Sequence, residues 1–150
     1  MIEPQDIGYI LPEILVLVTA LSLLLWAAIT KGSNHWTSVF LAVTGNITAF
    51  ALLFLRTPPD NTAVQIFADQ LVVDGYSTFF RALFLIIASL TIVLGAQRFN
   101  AAPITEFAVL IEFSLLGMMV LVGSIDWATA FIAIETMAIP VYVLAGITRF

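Results

Sequence analysis

Long runs of apolar residues alternate with short polar segments along the whole chain. Five of the runs are about 20 residues long, which is the length a helix needs to cross about 30 Å of hydrocarbon. Strand-type alternation is absent from the runs, and lipid offers no hydrogen-bond partner to an open backbone. The pattern therefore predicts an all-α integral membrane protein with about five transmembrane helices in a single membrane domain, at residues 9–30, 36–55, 76–96, 103–123 and 127–147.

The polar segments between the runs predict four short breaks and one longer connection. Residues 31–35 and 124–126 read as tight turns, residues 97–102 as a short polar loop, and the two prolines within residues 57–61 break the chain after the second helix. Residues 63–74 have apolar positions on both sides of a polar pair, which predicts a small surface hairpin.

Composition supports a membrane protein and excludes several kinds of site. The chain is 61% hydrophobic and 10% charged, with a mean hydropathy of +1.09, whereas globular domains carry about 25% charged residues. It has no cysteine and one histidine, His35, so we expect no metal or haem site and no cofactor in this chain. No phosphate loop, dinucleotide fingerprint or nucleophile triad is present, and no nucleic-acid partner is expected.

Basic residues in the short loops predict the orientation. Lys31, Arg98 and Arg149 fall on one side of the membrane if the helices alternate in direction, and Arg56 falls on the other. The side richer in basic residues faces the cytoplasm, so the N-terminus is predicted to lie outside. Arg81 lies about one turn inside the third helix and is predicted to extend its guanidinium to the outer surface. The alternative is that Arg81 tunes a carboxylate.

Two glutamates lie inside apolar runs, Glu112 in the fourth and Glu135 in the fifth. Counted from the turn near Ile125 at 1.5 Å per residue, their depths differ by only about 4–5 Å. An acidic side chain at the bilayer centre costs about 2.5–3.5 kcal/mol on insertion scales, and such residues usually serve ion or proton transfer. Both glutamates are therefore candidate catalytic residues for proton transfer, Glu112 the weaker of the two.

The neighbours of Glu135 strengthen its candidacy. Pro140 cannot donate a hydrogen bond to the carbonyl four residues earlier, and this frees the carbonyl of Thr136 beside Glu135. Tyr142 lies seven residues from Glu135 and projects from the same face of the helix. The alternative is a neutral, hydrogen-bonded Glu135 that only joins helices.

Three alternatives remain open for Glu112. It could share a proton with Glu135, contact a neighbouring subunit, or serve only as a hydrogen-bonding contact between helices. The polar patch Thr44, Asn46 and Thr48 in the second helix predicts helix-packing hydrogen bonds. Gly117 predicts close approach of another helix.

Residues 106–149, with the sequence EFAVLIEFSLLGMMVLVGSIDWATAFIAIETMAIPVYVLAGITR, resemble the fourth and fifth helices of a known family. The family is the antiporter-like subunit N of respiratory complex I, the proton-translocating NADH:quinone oxidoreductase. The carrying motifs are Glu106-Phe107, Leu116-Gly117-Met118-Met119, Ile134-Glu135 and the stretch Pro140 to Gly146. Residues 73–81, VDGYSTFFR, are similar to the same family's entry to its third helix.

The resemblance implies that Glu135 is the central proton-handling glutamate of the fifth helix, where the family pairs it with a lysine on a seventh helix. It also implies an N-terminal part of a larger bundle: three leading helices and the first two of an inverted five-helix repeat. The family has no typical acid at the position of Glu112, so this residue is either particular to this lineage or faces another chain. The abrupt stop after Arg149-Phe150 suggests a fragment or a subunit that continues in a separate polypeptide.

These observations predict a non-redox, proton-translocating membrane-arm subunit of NADH:quinone oxidoreductase. Its expected partners are other membrane subunits, the lipid bilayer and the transported protons, in an energy-transducing membrane such as the bacterial plasma membrane. Two alternatives remain. One is a subunit of a multisubunit cation/proton antiporter or a membrane-bound hydrogenase, and the other is a structural membrane protein with buried acids.

Overall fold

The computed structural model describes residues 4–30, 35–57, 63–98 and 101–147, which form one short helix, five long helices and one two-stranded hairpin. The short helix α1, Pro4–Tyr9, leads into the first long one. The long helices are α2 Leu11–Thr30, α3 His35–Arg56, α4 Gly75–Ala96, α5 Ala101–Gly123 and α6 Trp127–Ile147.

All five long helices have the length and apolar composition needed to cross a membrane. The prediction of an all-α membrane protein with five transmembrane helices is therefore confirmed. The helices begin and end within two residues of the predicted spans. The predicted breaks at residues 31–35 and 57–61 lie almost wholly outside the described residues. The loop predicted at residues 97–102 is shorter than expected, because α5 already begins at Ala101, and its residues 99–100 lie outside the described part of the chain.

Helix α5 lies at the centre of the bundle and packs against α2, α3, α4 and α6. Two apolar clusters fill the space between α5 and the three preceding long helices. The cluster nearer the hairpin includes Leu53, Leu85 and Met119. The cluster at the opposite end includes Leu23 and Ile104. Helix α6 packs mainly against α5, so most of its surface has no protein neighbour among the described residues.

The predicted hairpin is present, as β1 Val64–Ile66 paired antiparallel with β2 Leu71–Val73. Its turn contains three consecutive residues with positive φ, from Phe67 to Asp69. The hairpin is more than a surface element, because Ile66, Leu71 and Val73 are buried. The amide of Ile125 donates to the carbonyl of Gln70 at 2.9 Å, which joins the hairpin to the turn between α5 and α6.

Aspartates define the starts of two helices. The Asp74 carboxylate accepts a hydrogen bond from the Ser77 amide at 2.7 Å, and the Ser77 hydroxyl accepts one from the Asp74 amide at 3.0 Å, which completes a capping box at α4. The Asp126 carboxylate accepts from the amides of Ala128 and Thr129 at the start of α6. These caps fix where both helices leave the hairpin end of the bundle.

Candidate functional site

Glu135 lies on the side of α6 that the rest of the described chain leaves uncovered. Its side chain is exposed, and so is that of Tyr142, two turns further along the same face. Pro140 lies inside the continuous helix, as the sequence required, while the Thr136 hydroxyl donates to the carbonyl of Ile132 at 2.8 Å. The carboxyl group of Glu135 is therefore open to groups outside the described bundle.

A close approach of backbones fixes the rotation of α6. A Cβ atom on Gly117 would lie 2.5 Å from the Met137 nitrogen and 2.8 Å from the Ala133 carbonyl oxygen. The prediction that Gly117 admits a neighbouring helix is therefore confirmed, and the neighbour is α6. Ala133 and Met137 therefore face α5. Glu135 is two residues from each of them, and at about 100° of rotation per residue its side chain points away from α5.

Glu112 lies in the opposite environment, buried in the middle of α5 with 0% of its surface exposed. The Asn46 Nδ2 atom of α3 donates to its Oε1 atom at 3.0 Å. The prediction of a helix-packing hydrogen bond is confirmed for Asn46. It is wrong for Thr44 and Thr48, whose hydroxyls bond to carbonyls of their own helix.

The structure does not bring Glu112 and Glu135 together. Glu112 precedes Gly117 by five residues and is rotated about 140° from it on the helix. Since Gly117 faces α6, Glu112 faces α3. This arrangement does not allow the two carboxyl groups to share a proton directly. The two glutamates lie at similar depths in the membrane but are not in contact.

A third intramembrane acid, Glu13 on α2, forms an ion pair that the sequence interpretation missed. The Nε atom of Arg81 lies 3.2 Å from its Oε1 atom, and the two side chains are 2% and 3% exposed. The prediction that Arg81 extends to the outer surface is therefore wrong, because an acid lies within its reach inside the bundle. The contact favours the alternative, in which Arg81 acts on a carboxylate. The signal for Glu13 was its position four residues inside the first apolar run, close to the depth of Arg81, which lies five residues inside the third.

The guanidinium of Arg81 occupies space that only a glycine leaves open. A Cβ atom on Gly123 would lie 2.7 Å from the Arg81 Nη2 atom and 3.0 Å from the Val72 carbonyl oxygen. The ion pair therefore lies where α2, α4, the hairpin and the end of α5 meet. On its α6 side, Glu13 lines a largely apolar groove of about 270 Å³ whose other polar residues are Thr129 and Thr136.

Comparison with known proteins identifies relatives along almost the whole chain. The chain is 29% identical, over 99% of its length, to NADH-quinone oxidoreductase subunit N of Trichlorobacter lovleyi, and covers 30% of that protein. It is 32% identical, over 95% of its length, to NAD(P)H-quinone oxidoreductase subunit 2 of Gloeobacter violaceus, and covers 28% of it. It is 28% identical, over 97% of its length, to F(420)H(2) dehydrogenase subunit N of Methanosarcina mazei, and covers 31% of it.

No protein-family model matches the chain. The pairwise similarities nevertheless confirm the resemblance to subunit N, and their alignments cover 95–99% of the chain. The chain spans less than a third of the length of these relatives.

Proposed function

Because the chain is a homologue of the N subunits of NADH-quinone oxidoreductases over almost its whole length, we propose that it is a membrane-arm subunit, or part of one, in a proton-translocating complex of this kind. The observation that carries the proposal is the combination of this similarity with five helices of membrane-spanning length. The relatives' names assign them to quinone-reducing or F(420)H(2)-oxidising assemblies.

The role of this chain in the complex is to handle protons rather than electrons. The three relatives are named for different electron donors, NADH, NAD(P)H and F(420)H(2), although they share this module. A subunit that is similar in complexes with different electron donors is suited to a step that does not depend on the donor, such as proton translocation. The chain also has no cysteine to ligate an iron–sulfur cluster.

Glu135 is the proton-carrying residue of the chain. It lies in the middle of a membrane-spanning helix, beside the carbonyl that Pro140 frees, and it matches the glutamate that the resemblance to subunit N makes central. Its exposure in the bundle supports this role, because a carrier must be able to meet its partner. That partner is a basic residue on a helix outside these 150 residues, as the family pattern implies.

Further membrane helices cover the open face of α6. Phe131, Ile132 and Tyr142 are each more than 60% exposed on this helix. An acid on such a face would be costly against lipid, so protein or water must reach it in the assembly.

The complex lies in an energy-transducing membrane, the plasma membrane in a bacterium, with the N-terminus outside.

Glu112 is the weaker candidate for proton transfer. It is buried on the far side of α5 from α6, so it is a separate proton-binding position rather than the next step after Glu135. A part for Glu112 in transport would require its own access route through α3 and α4.

Co-purification tests the assignment to a complex. The tagged full-length protein, extracted from its native membrane in a mild detergent, should bring down the other subunits of a quinone reductase together with donor:quinone reductase activity. Recovery with the subunits of a cation/proton antiporter or a membrane-bound hydrogenase, without quinone reductase activity, would assign the protein to one of those complexes instead. Recovery of the protein alone would support a structural role.

A further inference from the structure

The hydrogen bond between Asn46 and Glu112 leaves one oxygen on each side chain without a partner. Asn46 donates through Nδ2 to Oε1 of Glu112. Among the described residues, neither the Oδ1 atom of Asn46 nor the Oε2 atom of Glu112 has a hydrogen-bond partner, and both atoms are buried. An ionised glutamate and an asparagine carbonyl can only accept hydrogen bonds at these two atoms, so neither can satisfy the other.

The surroundings make an ionised Glu112 expensive. Residues of the two apolar clusters flank the pair on both helices, Ala42 and Ala49 on α3 and Val109 and Leu115 on α5. No cation among the described residues lies within ion-pair distance of Glu112, since Arg81 is paired with Glu13. A buried carboxylate held by a single neutral donor is poorly stabilised.

A single proton resolves both problems. If Oε2 of Glu112 carries it, that atom becomes a donor, and Oδ1 of Asn46 on the adjoining group is the free acceptor. We infer that Asn46 positions Glu112 as a protonated carboxylic acid, so that two opposed hydrogen bonds between an acid and an amide join α3 to α5 in the middle of the membrane. The inference rests on the proposed function only in treating Glu112 as a proton-binding residue, and it does not involve Glu135.

The pair continues a polar seam between these helices. The hydroxyls of Ser38 and Thr105 are hydrogen-bonded at 2.7 Å, about two turns away on the same sides of α3 and α5. Both contacts are neutral under this proposal, so the seam joins the helices without a buried net charge. Asn46 also lines a groove of about 270 Å³ between α3 and α4. The competing arrangement is a water in that groove that donates to the Asn46 carbonyl beside an ionised Glu112.

Infrared difference spectroscopy of the full-length protein in its complex separates the two arrangements. A protonated carboxylic acid has a carbonyl stretch at higher wavenumber than a carboxylate or an amide. Subtracting the spectrum of Glu112→Gln from that of the native protein should reveal loss of one such acid band, which shifts in heavy water. The glutamine variant keeps the shape and both opposed hydrogen bonds, so it should assemble normally. Loss of a carboxylate band instead of an acid band would overturn the proposal.

A second variant, Asn46→Leu, tests the positioning role of Asn46. In Asn46→Leu the acid loses its hydrogen-bonding partner, and its band should move to higher wavenumber, a shift that a purely packing role for Asn46 would not produce. An unmoved band would show that Asn46 does not position the acid. Glu106→Gln is the matched control, because Glu106 is exposed on the same helix and its replacement should remove no acid band. The Glu112 band should also persist in Glu135→Gln, so failure of the Glu135 assignment would leave this inference standing.

Discussion

The Nε atom of Arg81 lies 3.2 Å from the Oε1 atom of Glu13, in a pair that is almost completely buried between α2 and α4. The contact is an ion pair without hydrogen-bond alignment, since neither of these two atoms has a hydrogen-bond partner among the described residues. Its attraction therefore depends on charge and on the surrounding fold, including the space left by Gly123. Removing one partner of such a buried pair lowers the stability of the protein, because the other charge is left buried without a partner.

Replacing one member of the pair should be more harmful than replacing both. Arg81→Met should lower the free energy of unfolding by about 3–5 kcal/mol, because it leaves the Glu13 carboxylate buried without a cation. The double variant Glu13→Gln with Arg81→Met should recover a large part of this loss. Unfolding of the purified protein in mixed detergent micelles measures both values. Arg98→Met, at an exposed arginine beyond the end of α4, is the control and should change stability little. Equal losses in the single and double variants would show that the pair is not coupled.

The contact between α5 and α6 should tolerate no added methyl group at Gly117. In Gly117→Ala the new Cβ would meet backbone atoms of Met137 and Ala133, so α6 must move away from α5. We expect a loss of about 1–3 kcal/mol in stability, as for other overpacked sites, and lower proton pumping because Glu135 moves with α6. Gly146→Ala is the matched control for the stability of the purified protein, since its Cβ would meet nothing within 4 Å in the described bundle. Native stability and pumping in Gly117→Ala would contradict the observed helix spacing.

The orientation can be tested with single cysteines, because the native chain has none. Gln65 is exposed on the hairpin and Gln97 is exposed at the opposite end of α4. In intact cells a membrane-impermeant thiol reagent should label Gln65→Cys from outside, and it should label Gln97→Cys only after the cells are opened. Outside labelling of Gln97→Cys with protection of Gln65→Cys would invert the topology. Labelling of both from outside would contradict a membrane-spanning α4.

Much of the fold follows from the sequence because helix length and turn signals are local properties. The membrane spans and the hairpin before α4 each depend on residues that are near one another in the chain. The close approach at Gly117 depends on the absence of a side chain at that one residue. The position of Pro140 likewise identifies the freed carbonyl beside Glu135 without knowledge of the packing.

Contacts between distant helices could not be read in the same way. Similar depth in the membrane allowed a contact between Glu112 and Glu135, but the rotation of α5 turns Glu112 toward Asn46, 66 residues earlier in the chain. The position of Arg81 near a helix end favoured the membrane surface, because nothing local showed that Glu13 lies within its reach. The rotation of each helix and the helices it contacts depend on the whole bundle, so the partners of Glu13, Arg81 and Glu112 could be identified only in the structure.

The proton-carrier assignment of Glu135 is tested most directly by Glu135→Gln in the assembled complex. Glutamine keeps the size of the side chain and much of its hydrogen bonding but cannot take up and release a proton. Pumping and the coupled quinone reduction, measured together in sealed membrane vesicles, should fall strongly while assembly stays intact. Asp69→Asn, at an exposed turn position that asparagine tolerates, should leave both activities unchanged. Glu112→Gln should reduce pumping less than Glu135→Gln. A Glu135→Gln complex that assembles and pumps at the native rate would contradict the account and leave Glu135 a structural residue.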